Sequence, residues 1–126
     1  MLAPGGVLAV WSYERCFVDA DFDLLISELY ADILRGYWPP ERKLVEERYQ
    51  SIELPMPAIT APEFAMEIDW MAEEMLGYLR TWSASRRYFV DKGSDPVSLI
   101  EGRFLEAWGA GTCQVSWPLN LKIGRA

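Results

Sequence analysis

The side chains that could do chemistry in this chain of 126 residues do not include histidine. Its absence excludes a Ser-His-Asp or Cys-His nucleophile pair, because both need an imidazole as the general base. The two cysteines, Cys16 and Cys113, are far apart in the sequence and cannot complete a zinc site of the usual types. Proton transfer in this chain must therefore use carboxylates, tyrosine, lysine, cysteine or water.

Charged side chains at short spacing occur in two segments. Glu67 and Asp69 lie two residues apart in a predicted strand, so that both carboxylates share one face. Such a pair does acid–base work only where it is desolvated, and a solvated strand face is the simpler interpretation. Arg80, Arg86 and Arg87 could bind a carboxylate substrate bidentately, or they could pair with the many nearby acidic residues.

A turn and an apolar run open the sequence. Pro4-Gly5-Gly6 predicts a tight turn, and the run Val7–Trp11 is typical of a strand that is buried on both faces of a parallel sheet. Trp11 and Tyr13 lie at the end of that strand, where open α/β sheets place their ligands. We therefore take Trp11 and Tyr13 as candidate substrate-binding residues.

Apolar residues at helical spacing predict several helices after this strand. Acidic caps and proline precede them, and glycine ends most of them, as helix boundaries require. The predicted spans are about Phe22–Arg35, Glu41–Arg48, Glu73–Trp82, Ser83–Lys92 and Val97–Trp108.

Three further segments predict strands. A short strand is expected near Ile52–Leu54. In the segment 64–70, apolar and polar residues alternate, which predicts a half-buried strand. The segment 113–123 alternates most clearly of all, and its odd-numbered residues are apolar. We expect these last two strands to pair antiparallel and to bury their apolar faces.

Composition limits the possible partners and compartments. The formal net charge of −7 argues against a nucleic-acid backbone or an anionic membrane surface as the main partner. No apolar run reaches membrane-spanning length, and the N-terminus lacks the features of a secretory signal. The expected location is therefore cytoplasmic, with both cysteines reduced. The sequence contains no internal repeat, no low-complexity tract and no convincing internal boundary, which predicts a single unit over residues 1–126.

Three segments together resemble one protein family. Residues 2–10 read LAPGGVLAV, residues 66–70 read MEIDW and residues 76–84 read LGYLRTWSA. With the alternating last strand, they resemble the C-terminal half of a class I S-adenosylmethionine-dependent methyltransferase, in the small-molecule branch similar to trans-aconitate methyltransferases. In that family a Leu-Lys-Pro-Gly-Gly turn introduces the fifth strand of the sheet, and here Ala3 stands where lysine or arginine is common.

The resemblance implies an α/β fold: a C-terminal fragment of a Rossmann-like methyltransferase, with a small mixed sheet that contains an antiparallel pair, and four or five helices. It covers essentially the whole chain but only about half of the family's fold, and the other half carries the cofactor site. S-adenosylmethionine is the cofactor of the resembling family, whereas we expect no cofactor to bind this chain alone. Gly109-Ala110-Gly111 follows a helix and precedes a strand, the reverse of a nucleotide-binding turn, and predicts a helix stop.

The helical insert between the last two strands helps to cover the substrate in the resembling family. The resemblance therefore implies that Tyr78 and Trp82 face the substrate. The simpler interpretation places Trp82 in the core and Tyr78 at its rim. With Trp11, Tyr13 and Arg86, these residues complete the candidate substrate-binding set, and no catalytic or metal-binding residue is assigned.

Two classes of function remain open. The first is the substrate-side part of a methyltransferase that acts on a small molecule and is inactive as an isolated chain. The second is a non-enzymatic, self-associating protein, or a subunit that completes a partner chain. Because the first strand would lack its parallel neighbour, we expect its edge, Val7–Tyr13, to form a homodimer.

Overall fold

The structure is a computed structural model that describes residues 2–126. Its strands form a four-stranded sheet in which β4 (Cys113–Arg125) pairs with all three others, β1 (Val7–Tyr13), β2 (Ala58–Ile59) and β3 (Phe64–Trp70). The pairings of β1 and β2 with β4 are antiparallel. The α/β fold class is thus confirmed, and within residues 2–126 the first strand pairs with β4 alone.

The first helical stretch begins where its cap predicts. The carboxylate of Asp19 accepts hydrogen bonds from the backbone N–H groups of Asp21 and Phe22, which starts α1 (Ala20–Ser27). The chain then continues as a π-helical segment, Glu28–Ile33, and turns at Gly36. Spacing alone predicts one continuous α-helix here, because the i to i+5 hydrogen bonds of a π-helix leave no distinct sequence signature.

The remaining helices are α2 (Arg42–Glu46), α3 (Ala72–Thr81), α4 (Ser83–Lys92) and α5 (Ser98–Trp108). Gly93 ends α4 at a φ of 71°, a left-handed conformation that glycine adopts without strain. Asp95 Oδ1 then accepts a hydrogen bond from the backbone N–H of Val97 just before α5. The predicted boundaries of α4 and α5 are confirmed because each depends on a local cap.

Trp82 separates α3 from α4. Its backbone is extended, with φ −55° and ψ 136°, so the helical hydrogen bonding breaks there. The carbonyl oxygen of Leu79 instead accepts a hydrogen bond from the Ser85 hydroxyl at 2.8 Å. The backbone N–H of Trp82 also donates to this oxygen at 3.3 Å, so the Ser85 hydroxyl is a second donor to the Leu79 carbonyl at the break.

The register of β1 against β4 determines which backbone groups face outward. Ser12 lies opposite Asn120, Glu14 N donates to Pro118 O, and Ala126 N donates to Gly6 O. Hydrogen-bonded pairs alternate along an antiparallel ladder, so the even-numbered residues of β1 bond to β4. The odd-numbered residues, Val7, Ala9, Trp11 and Tyr13, point their N–H and C=O groups toward the open edge of the sheet.

Two compact units make up the chain. The sheet unit comprises residues 2–16, Glu41–Met66 and Ser116–Ala126, and the helical unit comprises Phe17–Pro40 and Glu67–Val115. The chain passes from one unit to the other four times, so neither is a continuous segment. The single unit expected from the sequence stays a prediction.

The helical unit contains a large aromatic core. Phe22 of α1 meets Phe104 and Trp108 of α5 at ring-centroid distances of 5.3 and 4.9 Å. Phe104 and Trp108 stack on each other at 5.2 Å. Met75, Leu76 and Leu79 of α3 and Ile100 of α5 are also buried.

Three strand predictions were wrong in part, one of them the burial of Val7–Trp11 on both faces, since Val7 and Trp11 are 49% and 66% exposed. Two others were wrong as well. The first concerns β3, where Phe64, Met66 and Ile68 are exposed rather than half-buried, because nothing within residues 2–126 covers that face. The second concerns Ile52–Leu54, which forms no strand, whereas the short strand β2 lies at Ala58–Ile59. In contrast, the pairing of β3 with β4 and the burial of Trp117 are confirmed.

No helix among the described residues is long and apolar enough to cross a membrane.

Candidate functional site

An aromatic cluster in the helical unit contains two of the predicted site residues. Tyr78 of α3 and Trp82 at the helix break meet edge to face, with ring centroids 6.0 Å apart. Trp82 also contacts Tyr30 at 5.8 Å and Trp38 at 5.4 Å, and Trp70 contacts Tyr78 at 5.6 Å. All five rings are only half-buried. Tyr78 and Trp82 thus lie together, in a partly exposed cluster rather than in the buried core.

Sequence reasoning missed three members of this cluster. Tyr30 lies in the π-helical segment, Trp38 follows it, and Trp70 ends β3. Trp38 is fixed because its Nε1 donates to the carbonyl oxygen of Tyr30 at 2.9 Å, with the rings 4.4 Å apart. The signal that could have found Trp38 is the Trp38-Pro39-Pro40 chain break. Only tertiary structure brings that break close to Trp82.

Arg86 lies on a separate groove of the helical unit. The groove has a volume of about 580 Å³ and is lined by Arg80, Ser85, Arg86, Phe89, Val90, Asp95 and Pro96. Arg80 is held there by Asp95 at 2.7 Å and by Glu101 at 3.1 Å. The hydrogen bond to Asp95 is the main cause that raises the pKa of Arg80 above its usual value. Arg80 is thus paired with nearby acids, as the simpler of the two sequence interpretations holds.

Trp11 and Tyr13 belong to the sheet unit, where both are largely exposed. Trp11 lines a shallow pocket of about 330 Å³ with Ala9, Val10, Tyr49 and Ile52. Tyr49 has a φ of 56°, a left-handed conformation that is costly for a bulky side chain.

Two buried polar atoms lie near Trp11 and Tyr13. Ser12 and Asn120 are opposite each other across the β1–β4 ladder. Within residues 2–126, Ser12 Oγ and Asn120 Nδ2 are both buried without a hydrogen-bond partner. Buried polar atoms usually have a hydrogen-bond partner, so these two atoms are exceptions within the sheet unit.

The other charged candidates are simple surface groups. Glu67 and Asp69 are exposed on β3, so the solvated strand face is confirmed. Among the described residues, no group of three or more acidic or cysteine side chains is placed to hold a metal ion.

Tyr37 donates a hydrogen bond to Asp91, and that bond raises the pKa of Tyr37 to about 12.

The residues that the structure describes do not fit a cradle for S-adenosylmethionine. Gly109-Ala110-Gly111 is the one Gly-x-Gly in the sequence, and it connects the end of α5 to the start of β4. A nucleotide-binding turn connects a strand to a helix N-terminus, whose N–H groups hold the phosphate or the ribose. Gly109 instead ends α5 at a φ of 68°.

Two comparisons with known proteins define the class of this fold. A solved structure from Anaeromyxobacter dehalogenans, described as a "putative type II methyltransferase", superposes with a TM-score of 0.91 at 36% sequence identity. The superposition covers 97% of this chain and 53% of that one. The chain therefore has the fold of about half of a methyltransferase, and its resemblance to the C-terminal half of a methyltransferase is confirmed.

A curated protein of Dictyostelium discoideum, named "putative methyltransferase", is 24% identical over 111 residues. The match covers 86% of this chain and 42% of that protein. The chain thus spans about half the length of the two relatives. No family model matches it.

Proposed function

We propose that this chain is the substrate-side part of an S-adenosylmethionine-dependent methyltransferase that acts on a small molecule. The observation that carries the proposal is the similarity to the Anaeromyxobacter protein, at 36% identity and a TM-score of 0.91 over nearly the whole chain. Identity at that level, over a shared backbone, supports a common chemistry as well as a common fold.

The residues present in this chain determine which part of a methyl transfer it could perform. S-adenosylmethionine supplies the methyl group when bound. In this proposal, the residues that bind it are not among residues 2–126. This chain's own task is to hold the acceptor, and proximity and orientation account for much of the acceleration in such a transfer. The absence of histidine is compatible with that task, because positioning needs no general base within the chain.

The half-buried aromatic cluster of Tyr30, Trp38, Trp70, Tyr78 and Trp82 is the surface we assign to the acceptor. Five partly exposed rings offer a large, rigid area at a low cost in side-chain entropy. Trp82 lies at the break between α3 and α4, and its ring contacts those of both Tyr30 and Trp38.

A chimera tests the proposal. The part of the Anaeromyxobacter protein that lies outside the match is joined to residues 2–126 of this chain, and S-adenosylmethionine is titrated calorimetrically into the chimera and into the chain alone. We expect one-to-one binding to the chimera and none to the chain alone. Saturable binding to the chain alone would show that a cofactor site has been overlooked, and a folded chimera that binds nothing would contradict the proposed function.

Self-association through the open edge of β1 is the second candidate function. It is favoured by the outward N–H and C=O groups of the odd-numbered residues and by the exposure of Val7, Trp11 and Tyr13, at 49%, 66% and 48%. Apolar edges with unpaired backbone groups tend to pair with another chain. Two copies of β1 paired about a two-fold axis would form a closed homodimer.

Sedimentation equilibrium of Ala9→Pro tests this second candidate. Ala9 points its N–H toward the open edge, so proline there removes an intermolecular donor while the bonds to β4 remain. We expect a dimer that weakens on this substitution. Val10→Pro is the matched control, because Val10 bonds to β4 and its substitution should unfold the strand instead. A wild-type chain that stays monomeric at all concentrations, or a dimer indifferent to Ala9→Pro, would exclude the β1 interface.

A further inference from the structure

We propose that the groove between α3, α4 and the start of α5 binds a monoanionic small molecule with an apolar body. The site is distinct from the aromatic cluster in the residues that form it, and it does not depend on methyl transfer. Its lining residues all belong to the helical unit, so the groove is complete within that unit.

The shape of the groove fits a small molecule. Its volume of about 580 Å³ falls within the range of ligand pockets, roughly 300–1,000 Å³. Of its lining residues, Ser85 and Pro96 are buried, whereas the apolar Phe89 and Val90 are 55% and 85% exposed. Phe89 and Val90 are neighbours on α4. An apolar ligand that covers them removes their surface from water, and this burial favours binding.

One positive charge at the groove is available to a ligand. Within residues 2–126, the Arg86 guanidinium makes no hydrogen bond or ion pair. Arg80 is occupied by Asp95 and Glu101, so its charge is already neutralised. A carboxylate can therefore bind Arg86 bidentately while its hydrocarbon part lies on Phe89 and Val90.

The same charges set the specificity of the groove. Asp95 lines it and Glu101 binds the neighbouring Arg80, so a second or third carboxylate on the ligand would meet negative charge. An amine would gain from Asp95 but would be repelled by Arg86. The groove should therefore prefer a single carboxylate over a polycarboxylate or a cation of the same size.

Titration of the 126-residue chain with phenylbutyrate, followed by nitrogen–proton correlation spectra, tests the proposal. We expect saturable shifts confined to the amides of residues 80–97. Phenylbutylamine and trans-aconitate should bind at least about tenfold more weakly, since a charge-assisted hydrogen bond typically contributes on this scale.

Variants separate the charge from the apolar lining residues. Arg86→Gln should weaken phenylbutyrate binding about tenfold, and Phe89→Ser should weaken it further. Arg87→Gln is the matched control, because Arg87 donates to the carbonyl oxygen of Tyr37 and does not line the groove. All three residues are exposed, so the spectra of the free variants should remain those of a folded chain.

Three outcomes would overturn the proposal. They are shifts that do not map to the groove, equal affinity for phenylbutyrate and phenylbutylamine, and an effect of Arg87→Gln as large as that of Arg86→Gln. Because no cofactor is present in this experiment, its failure would leave the proposed methyltransferase function to be judged by the chimera.

Discussion

The helical unit and the sheet unit bury apolar side chains to very different extents. Among the described residues, every buried apolar side chain lies in the helical unit except Cys16 and Trp117. The sheet unit exposes Val7, Trp11, Tyr13, Leu44, Ile59, Phe64 and Met66, and the helical unit also exposes apolar residues such as Leu24, Phe89 and Val90, so the units differ in burial rather than in exposure. The two units contain apolar residues of similar kinds, so the difference lies in what covers them.

This difference indicates where the chain buries most of its apolar surface. Apolar burial is the main favourable term in folding, and the helical unit obtains it from its own helices. The sheet unit has two strand edges and an apolar surface that another polypeptide could cover, as expected for half of a larger sheet. The alternative is that a second copy of this chain covers the same surface.

Truncation of the aromatic core should show the largest difference in stability between the two units. Phe104→Ala removes a fully buried ring that contacts Phe22 and Trp108, and should lower the free energy of unfolding by about 3–5 kcal/mol. Denaturant unfolding measures it. Leu105→Ala is the matched control on the exposed side of α5, and Trp11→Ala is the counterpart in the sheet unit; both should cost less than about 1 kcal/mol. Equal losses for Phe104→Ala and Trp11→Ala would remove the contrast between the units.

Glycine-to-alanine substitutions should have opposite signs in the two units. At Gly124 of β4, a Cβ atom would lie 2.5 Å from Met56 Cγ and 3.2 Å from Leu54 Cδ1, so Gly124→Ala should destabilise by about 1–3 kcal/mol. At Gly77 of α3, nothing lies within 4 Å, so Gly77→Ala should stabilise by about 0.5–1 kcal/mol. Thermal unfolding of both variants checks the signs. A neutral Gly124→Ala would mean that residues 54–56 do not pack closely on β4.

The smallest predicted effect is a titration within the helical unit. The hydrogen bond to Asp91 raises the pKa of Tyr37 from 10.0 to about 12, because it stabilises the neutral phenol. The contribution to stability is therefore present below pH 10 and is lost as the pH rises toward about 12. Asp91→Asn should return the pKa of Tyr37 toward its ordinary value, as measured by ultraviolet difference titration. An unchanged titration would show that the bond is absent in solution.

Local signals in the sequence predicted the helices well. The caps at Asp19, Gly93 and Asp95 act within a few residues of the boundaries that they define, so sequence alone gives those boundaries. The exposure of β3 could not be predicted, because alternation shows which residues share a face but not whether another element covers it. The π-helical turn at Glu28–Ile33 likewise has no local signature.

The candidate site was predicted only in part, for a similar reason. Tyr78 and Trp82 are four residues apart in sequence, so their proximity could be expected. Tyr30 and Trp38 reach the same cluster only through tertiary packing. The sequence identifies Arg86 as a candidate cation. Only the structure shows that Asp95 and Glu101 pair with Arg80 rather than with Arg86.

The open edge of β1 is the feature on which the account depends most directly. Hydrogen exchange of the β1 amides tests whether this edge is open. It is measured in the chain, at a concentration where the chain sediments as a monomer, and in the chimera proposed above. We predict that the amides of Val7, Ala9, Trp11 and Tyr13 exchange rapidly in the monomer and are protected at least about tenfold more strongly in the chimera. The amides of Leu8, Val10 and Ser12, which bond to β4, should be protected in both. Equal exchange of the odd-numbered amides in the two proteins would contradict the proposal that β1 is an inner strand of a larger sheet when the rest of a methyltransferase is present.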